Sequence, residues 1–327
     1  MLEINKIRKA ELHCHLDGIL DPQMLKELIA EGHDMGVNVD KFTSIWPVKS
    51  RAEWFGNYMT LTQQIYQNER QHLILKKHIQ RLIRQNVAYT EIFVSGILFS
   101  YPTVEETIGE FRRLRESADH AAGGKIQVEF LVCVVLSHPE KFERQLTRII
   151  PLSKSGLICG LALSSEDAGN LIVFAPGVEK ARQAGLKLEA HAGEMLGPDN
   201  VWNTILTLQP DRIGHAVGAF QDRKLIDHII RNDIHIEMMP LGNTIIGNVR
   251  SVKDHPVSIA RNLGMNYSIN TDDPGPQGNY LNDDYRALAE LGFTETDFNR
   301  IFQNSNRSRF RLRNCPNHSV GSGRVAS

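Results

Sequence analysis

Short runs rich in apolar and β-branched residues recur along the chain, separated by longer segments of helical period. No other feature of the sequence limits the fold as strongly. The strand candidates are 10–16, 87–94, 126–136, 157–163, 186–191, 212–215, 234–238 and 267–270. Amphipathic segments at 103–121, 168–183, 221–231 and 256–263 fall between them. Strand–helix alternation implies parallel pairing, because each return to the same edge needs a crossover. Eight such units predict a closed (β/α)₈ barrel. An open doubly wound sheet would carry a glycine-rich phosphate turn after its first strand, and no GxGxxG stands there.

The spacing is regular except for about seventy residues between the first two strands. That stretch reads as helical over 23–30 and 52–85, and predicts a helical lid over the barrel mouth at about 20–86. A single domain is expected over 1–313, followed by a mobile tail over 314–327.

Composition excludes several classes. With 41% hydrophobic and 23% charged residues the chain can build a large core. Its 37 basic and 38 acidic side chains leave a net charge of −1, which gives no electrostatic case for nucleic acid or an anionic membrane. No run approaches the ~20 apolar residues that span a bilayer. The four cysteines show no CxxC spacing, and three lie in apolar runs, which points to a reducing compartment. The segment MLEINKIRKAEL lacks the apolar core of a signal peptide, so a cytoplasmic location is expected. The sequence sets no oligomeric state.

Polar residues at the ends of the predicted strands carry the chemistry. His13 and His15 are two apart on the first strand, so both imidazoles can face the barrel interior and share one metal. Taken alone they are equally readable as two ordinary histidines. His191-Ala-Gly-Glu194 closes the fifth strand, His215 the sixth, and Asp272-Asp273 the eighth. Active sites of such barrels form at the C-terminal ends of the strands. Each group alone reads as a cap or a satisfied histidine. Together they supply three histidines and a carboxylate, a suitable zinc shell with room for a water. A histidine, a glutamate and a second aspartate remain for proton transfer and substrate orientation.

HCHLDG (13–18), HAGE (191–194), RIGHA (212–216) and NTDDP (270–274), in this order and spacing, resemble the adenosine deaminase family of the amidohydrolase superfamily. The resemblance runs from Glu11 to about Arg309; DHP (254–256) and LNDDY (281–285) match more weakly. It implies that His13, His15, His191 and Asp272 hold one Zn²⁺ per chain, with His15 also reaching the substrate. His215, assisted by Asp272, would orient or deprotonate the attacking water. Glu194 would protonate purine N1, Asp273 would accept a hydrogen bond at N7, and Asp17 would contact the ribose. Trp54, Phe55 and Tyr58, at i, i+1 and i+4, resemble the helix that closes over substrate; seating that helix on the barrel is the other reading.

The pocket walls depart from the family pattern. Ser165 stands where the family's glycine approaches purine N3, Met239-Pro-Leu-Gly-Asn243 replaces CPxSN, and Phe93-Val-Ser-Gly-Ile97 replaces an arginine-bearing stretch. The expectation is hydrolytic deamination of adenosine or a close adenine nucleoside. The alternatives are another aminopurine (adenine, an N6-substituted adenosine, aminofutalosine), a non-catalytic nucleoside-binding member, or an amide or ester hydrolase on the same scaffold. The last is disfavoured because 157–167 has no lysine to bridge a second metal.

Overall fold

A computed structural model describes residues 2–44, 46–48, 50–53, 69–95, 101–166 and 168–310. Its strands are β1 Lys9–His15, β2 Val87–Val94, β3 Gln127–Val135, β4 Gly160–Ser164, β5 Lys187–Ala192, β6 Arg212–His215, β7 His235–Met238 and β8 Tyr267–Ile269. They form one sheet in sequence order, each strand parallel to the next. A bridge between Cys14 and Asp272 joins the two edges. There His15 N donates to Asp272 O at 2.9 Å and Asp272 N to His13 O at 3.1 Å. This closure makes the sheet the predicted barrel.

Sequence periodicity explains how each strand divides its side chains. β3 is buried at all but its terminal residues, which is why it reads as a continuous apolar run rather than an alternation. Phe130, Val132 and Val134 pack into the main core, whereas Leu131 and Cys133 join Phe93, Cys159, Ala162 and Phe310 in a separate cluster. The helix Val104–Ala122 starts at a Thr103/Glu106 capping box and ends at Gly123, whose φ of 51° suits glycine. It buries Phe111, Leu114 and Ala118.

Two boundaries differ from expectation. The apolar run 157–163 yields a strand only from Gly160; Leu157 and Ile158 are buried without belonging to it, because apolarity marks burial and not pairing. The helix expected over 168–183 is a 3₁₀ turn, Leu171–Phe174, followed by the α-helix Ala175–Gln183. Pro176 has no N–H to donate and is compatible only with a first turn, so the α-helix starts there.

Between β1 and β2 lie helices Pro22–Ala30, Val39–Ser44, Arg51–Glu53 and Arg70–Arg84. Trp54, Phe55, Tyr58 and the tail 314–327 lie outside the described residues. Among the described residues, no helix is long and apolar enough to cross a membrane, and Cys14, Cys133 and Cys159 are buried free thiols.

Candidate active site

The site grows from the mouth ends of β1, β5, β6 and β8. His13 and His15 share the inner face of β1, His191 comes from β5, and Asp272 follows β8. His15 Nε2 lies 3.3 Å from His191 Nε2. Asp272 Oδ1 is 3.2 Å from His13 Nε2 and 3.4 Å from His15 Nε2. One donor atom from each of the four falls within 4.8 Å of all the others.

These donors are arranged for a cation. His13 Nδ1–H donates to Glu237 Oε2 at 2.7 Å, and His191 Nδ1–H donates to Glu189 Oε2 at 3.1 Å. Each carboxylate fixes its histidine's tautomer, so both Nε2 lone pairs point to the centre. His13 Nε2 is buried there, with the Asp272 carboxylate oxygen at 3.2 Å as its polar neighbour. Burial alone would lower the pKa of His13, but Asp272, Glu237 and Glu189 outweigh it and hold the ring well above its usual value. His191 is raised against the same burial, chiefly by Glu189. Without metal, His13 and His191 therefore favour their protonated forms, whereas His15 does not. Three imidazoles and a carboxylate oxygen fit a divalent ion, whose uptake displaces those protons.

Glu237 is itself anchored by Arg212, Nε to Oε1 2.6 Å, and Arg212 also pairs with Glu91. The guanidinium is 1% exposed and stacks 3.6 Å from the centroid of Phe310. A buried triad of this kind adds little stability by itself; what it fixes here is the Glu237 carboxylate against His13 Nδ1. Glu237→Gln is expected to keep the fold and weaken metal affinity about 10- to 100-fold, read by chelator competition. Sequence reasoning missed Glu189, Glu237 and Glu91. The available signal was a carboxylate inside each apolar strand, with Glu189 two residues before His191 on the same face.

A second cluster joins Glu194, His215 and Asp272. His215 Nε2 stands 4.0 Å from Glu194 Oε2, and Asn248 Nδ2 donates to Glu194 Oε1 at 3.3 Å. Burial and the neighbouring histidines hold the pKa of His215 well below its usual value; burial likewise pushes that of His15 down to about 3. His215 and Asp272 both adopt left-handed backbone, φ 65° and 66°. Such strain costs about 1–3 kcal/mol per residue and clusters at functional sites. Two motif glycines have steric causes. A Cβ on Gly193, where φ is 67°, would lie 2.5 Å from Val201 Cγ2, and one on Gly18 would lie 1.8 Å from Asp273 Oδ1.

The cavity over these groups brings together His15, Asp17, His191, Glu194, His215, Asp272 and Asp273, with His13 buried beneath. Asp17 Oδ2 accepts a hydrogen bond from Ser95 Oγ at 2.9 Å. Asp273 Oδ1 is buried without a hydrogen-bond partner among the described residues; burial first, then Asp272 and Asp17, push its carboxyl well above the usual range. The wall at the end of β4 is Ser164. Ser165, expected at the substrate, instead donates its hydroxyl to the His191 carbonyl at 2.6 Å. Gln277 was not anticipated, yet it lines the cavity with a buried Oε1 that has no hydrogen-bond partner among the described residues.

The sequence model of the adenosine deaminase family matches residues 8–315. An adenine deaminase of Crocosphaera subtropica is 26% identical over 315 residues, covering 94% of this chain and 95% of that one. An aminodeoxyfutalosine deaminase of Streptomyces avermitilis is 30% identical over 292 residues, covering 86% and 80%. The solved adenine deaminase of Arthrobacter aurescens superposes with a TM-score of 0.80 at 20% identity, covering 93% and 94%, a likeness of fold.

Proposed function

The chain belongs to the adenosine deaminase family, and from that premise we propose that it hydrolyses the exocyclic amino group of a 6-aminopurine with one zinc ion per chain. The observation that carries this reading is the sharing of Asp272 between the four-donor cluster and the Glu194–His215 pair. The donor set of three imidazoles and one carboxylate suits zinc. When bound, the ion makes water acidic enough, with a pKa of about 7, to serve as nucleophile at neutral pH.

The remaining work falls to side chains. Glu194 delivers a proton to N1, which makes C6 electrophilic. His215 orients the attacking water, and Asp272 assists it. Asp273 aligns the ring at N7, but in the direction opposite to the one read from sequence. A purine N7 offers a lone pair, so its partner must be a donor; burial, with Asp272 and Asp17 beside it, shifts the Asp273 carboxyl towards the protonated form that can donate. Enclosing these groups away from bulk water strengthens each of these interactions.

For the substrate, the named activities of the relatives shift the reading from adenosine towards other aminopurines. Asp17, on the cavity wall beside Ser95, is suited to a hydroxylated substituent. We therefore place an N9-substituted adenine compound of the aminodeoxyfutalosine kind first. Free adenine comes second, on the strength of the adenine deaminase relatives. The test is ultraviolet absorbance of zinc-loaded protein with aminodeoxyfutalosine, adenine, N6-methylated nucleosides and adenosine. Turnover of the first at least tenfold above the rest supports the leading reading. Preference for adenine or adenosine replaces it, and no turnover of any with zinc bound overturns deamination.

A further inference from the structure

The sequence segments Met239–Asn243 and Asp254–Pro256 have so far taken no part in the chemistry. They meet behind His215. The backbone N–H of Val257 lies 3.2 Å from His255 Nδ1. A backbone amide can only donate, so Nδ1 accepts and a neutral ring carries its proton on Nε2. His255 is 2% exposed, and burial pushes its pKa down to about 3, which keeps it neutral. Its Nε2–H donates to Asn243 Oδ1 at 3.3 Å.

That contact also settles which way the Asn243 amide points. With its oxygen facing His255, its Nδ2 faces His215 Nδ1 at 3.2 Å. An amide NH₂ only donates, so His215 Nδ1 must accept. The proton of a neutral His215 then sits on Nε2, the nitrogen directed at Glu194 and the site. Asn243 and His215 are 0% and 1% exposed, so water does not compete for these bonds.

We propose that Asn243 and His255 are positioning residues that hold His215 as its Nε2–H tautomer, so that it presents a donor rather than a lone pair to the attacking water. This rests on His215 standing beside that water, as read above. It separates the two roles that the sequence left open. His215 orients the water by donating to its oxygen, and the water's proton passes to the Asp272 carboxylate instead.

The experiment is a long-range ¹H–¹⁵N correlation spectrum of zinc-loaded protein carrying ¹⁵N-histidine, with His215 assigned by comparison with His215→Gln. The expected pattern is a pyridine-type Nδ1 and a pyrrole-type Nε2 at both His215 and His255. A protonated Nδ1 on neutral His215 overturns the proposal. His255→Leu removes the donor to Asn243 and should mix the His215 tautomers. It should also lower kcat about 10²-fold with KM and zinc content unchanged. His255→Gln, whose carboxamide can both accept from Val257 and donate to Asn243, should restore most of the loss. A leucine variant with wild-type kcat and a single tautomer also overturns it. Should that variant not fold, the wild-type spectrum and the glutamine variant still decide. The spectra need no substrate, so a wrong substrate leaves the tautomer result readable.

Discussion

Glu194→Gln should lower kcat at least about 10²-fold, the lower end of general-acid effects, and leave fold and zinc content intact. The substitution keeps the side chain's size and its ability to accept from Asn248, and removes only the transferable proton. A substrate already protonated at N1 should recover part of the loss, so the deficit should shrink as pH falls towards the pKa of the ring nitrogen. Steady-state kinetics against pH, together with metal analysis, check both statements. Near-wild-type turnover would remove Glu194 from the mechanism.

Asp272→Ala carries the largest expected effect, because one carboxylate serves two clusters. Its Oδ1 lies within 3.4 Å of the Nε2 atoms of both His13 and His15. Without it, the metal is left with three imidazoles, and zinc occupancy should fall below one per chain after dialysis against a weak chelator. Turnover should fall by more than the upper general-base figure of about 10⁴-fold, since ligand and base partner are lost together. Full zinc occupancy in the alanine variant would contradict the ligand assignment. His13→Ala is the useful comparison: it should cost metal while leaving the Glu194–His215–Asp272 cluster standing.

Much of this was legible in the chain. The eight strands could be found because burial on both faces writes continuous apolar runs, and the barrel rule then located chemistry at their C-terminal ends. Ser165 was not legible for a reason of register. Side chains alternate along a strand, so at the end of β4 a one-residue difference decides whether Ser164 or Ser165 faces the cavity. Glu237 was hidden for a different reason. It lies 224 residues from the histidine it orients, and only closure of the barrel makes them neighbours. The Asn243–His255 chain was hidden likewise, since its meaning depends on which atom of each group faces which.

The seam of the barrel has a consequence for how the protein comes into being. The first two donors of the candidate metal set stand in β1 and the last follows β8, and the same Cys14–Asp272 bridge that joins the sheet edges sets them side by side. The His-x-His pair and Asp272 are far apart in sequence, so a growing chain displays the pair long before it can complete the donor set. With this ligand set, high-affinity metal capture would require the closed seam, and an amino-terminal fragment that stops before Asp272 would lack one donor. An ion held by this set would act as a clasp between the two ends of the sheet, adding stability that grows with the logarithm of its free concentration above the dissociation constant.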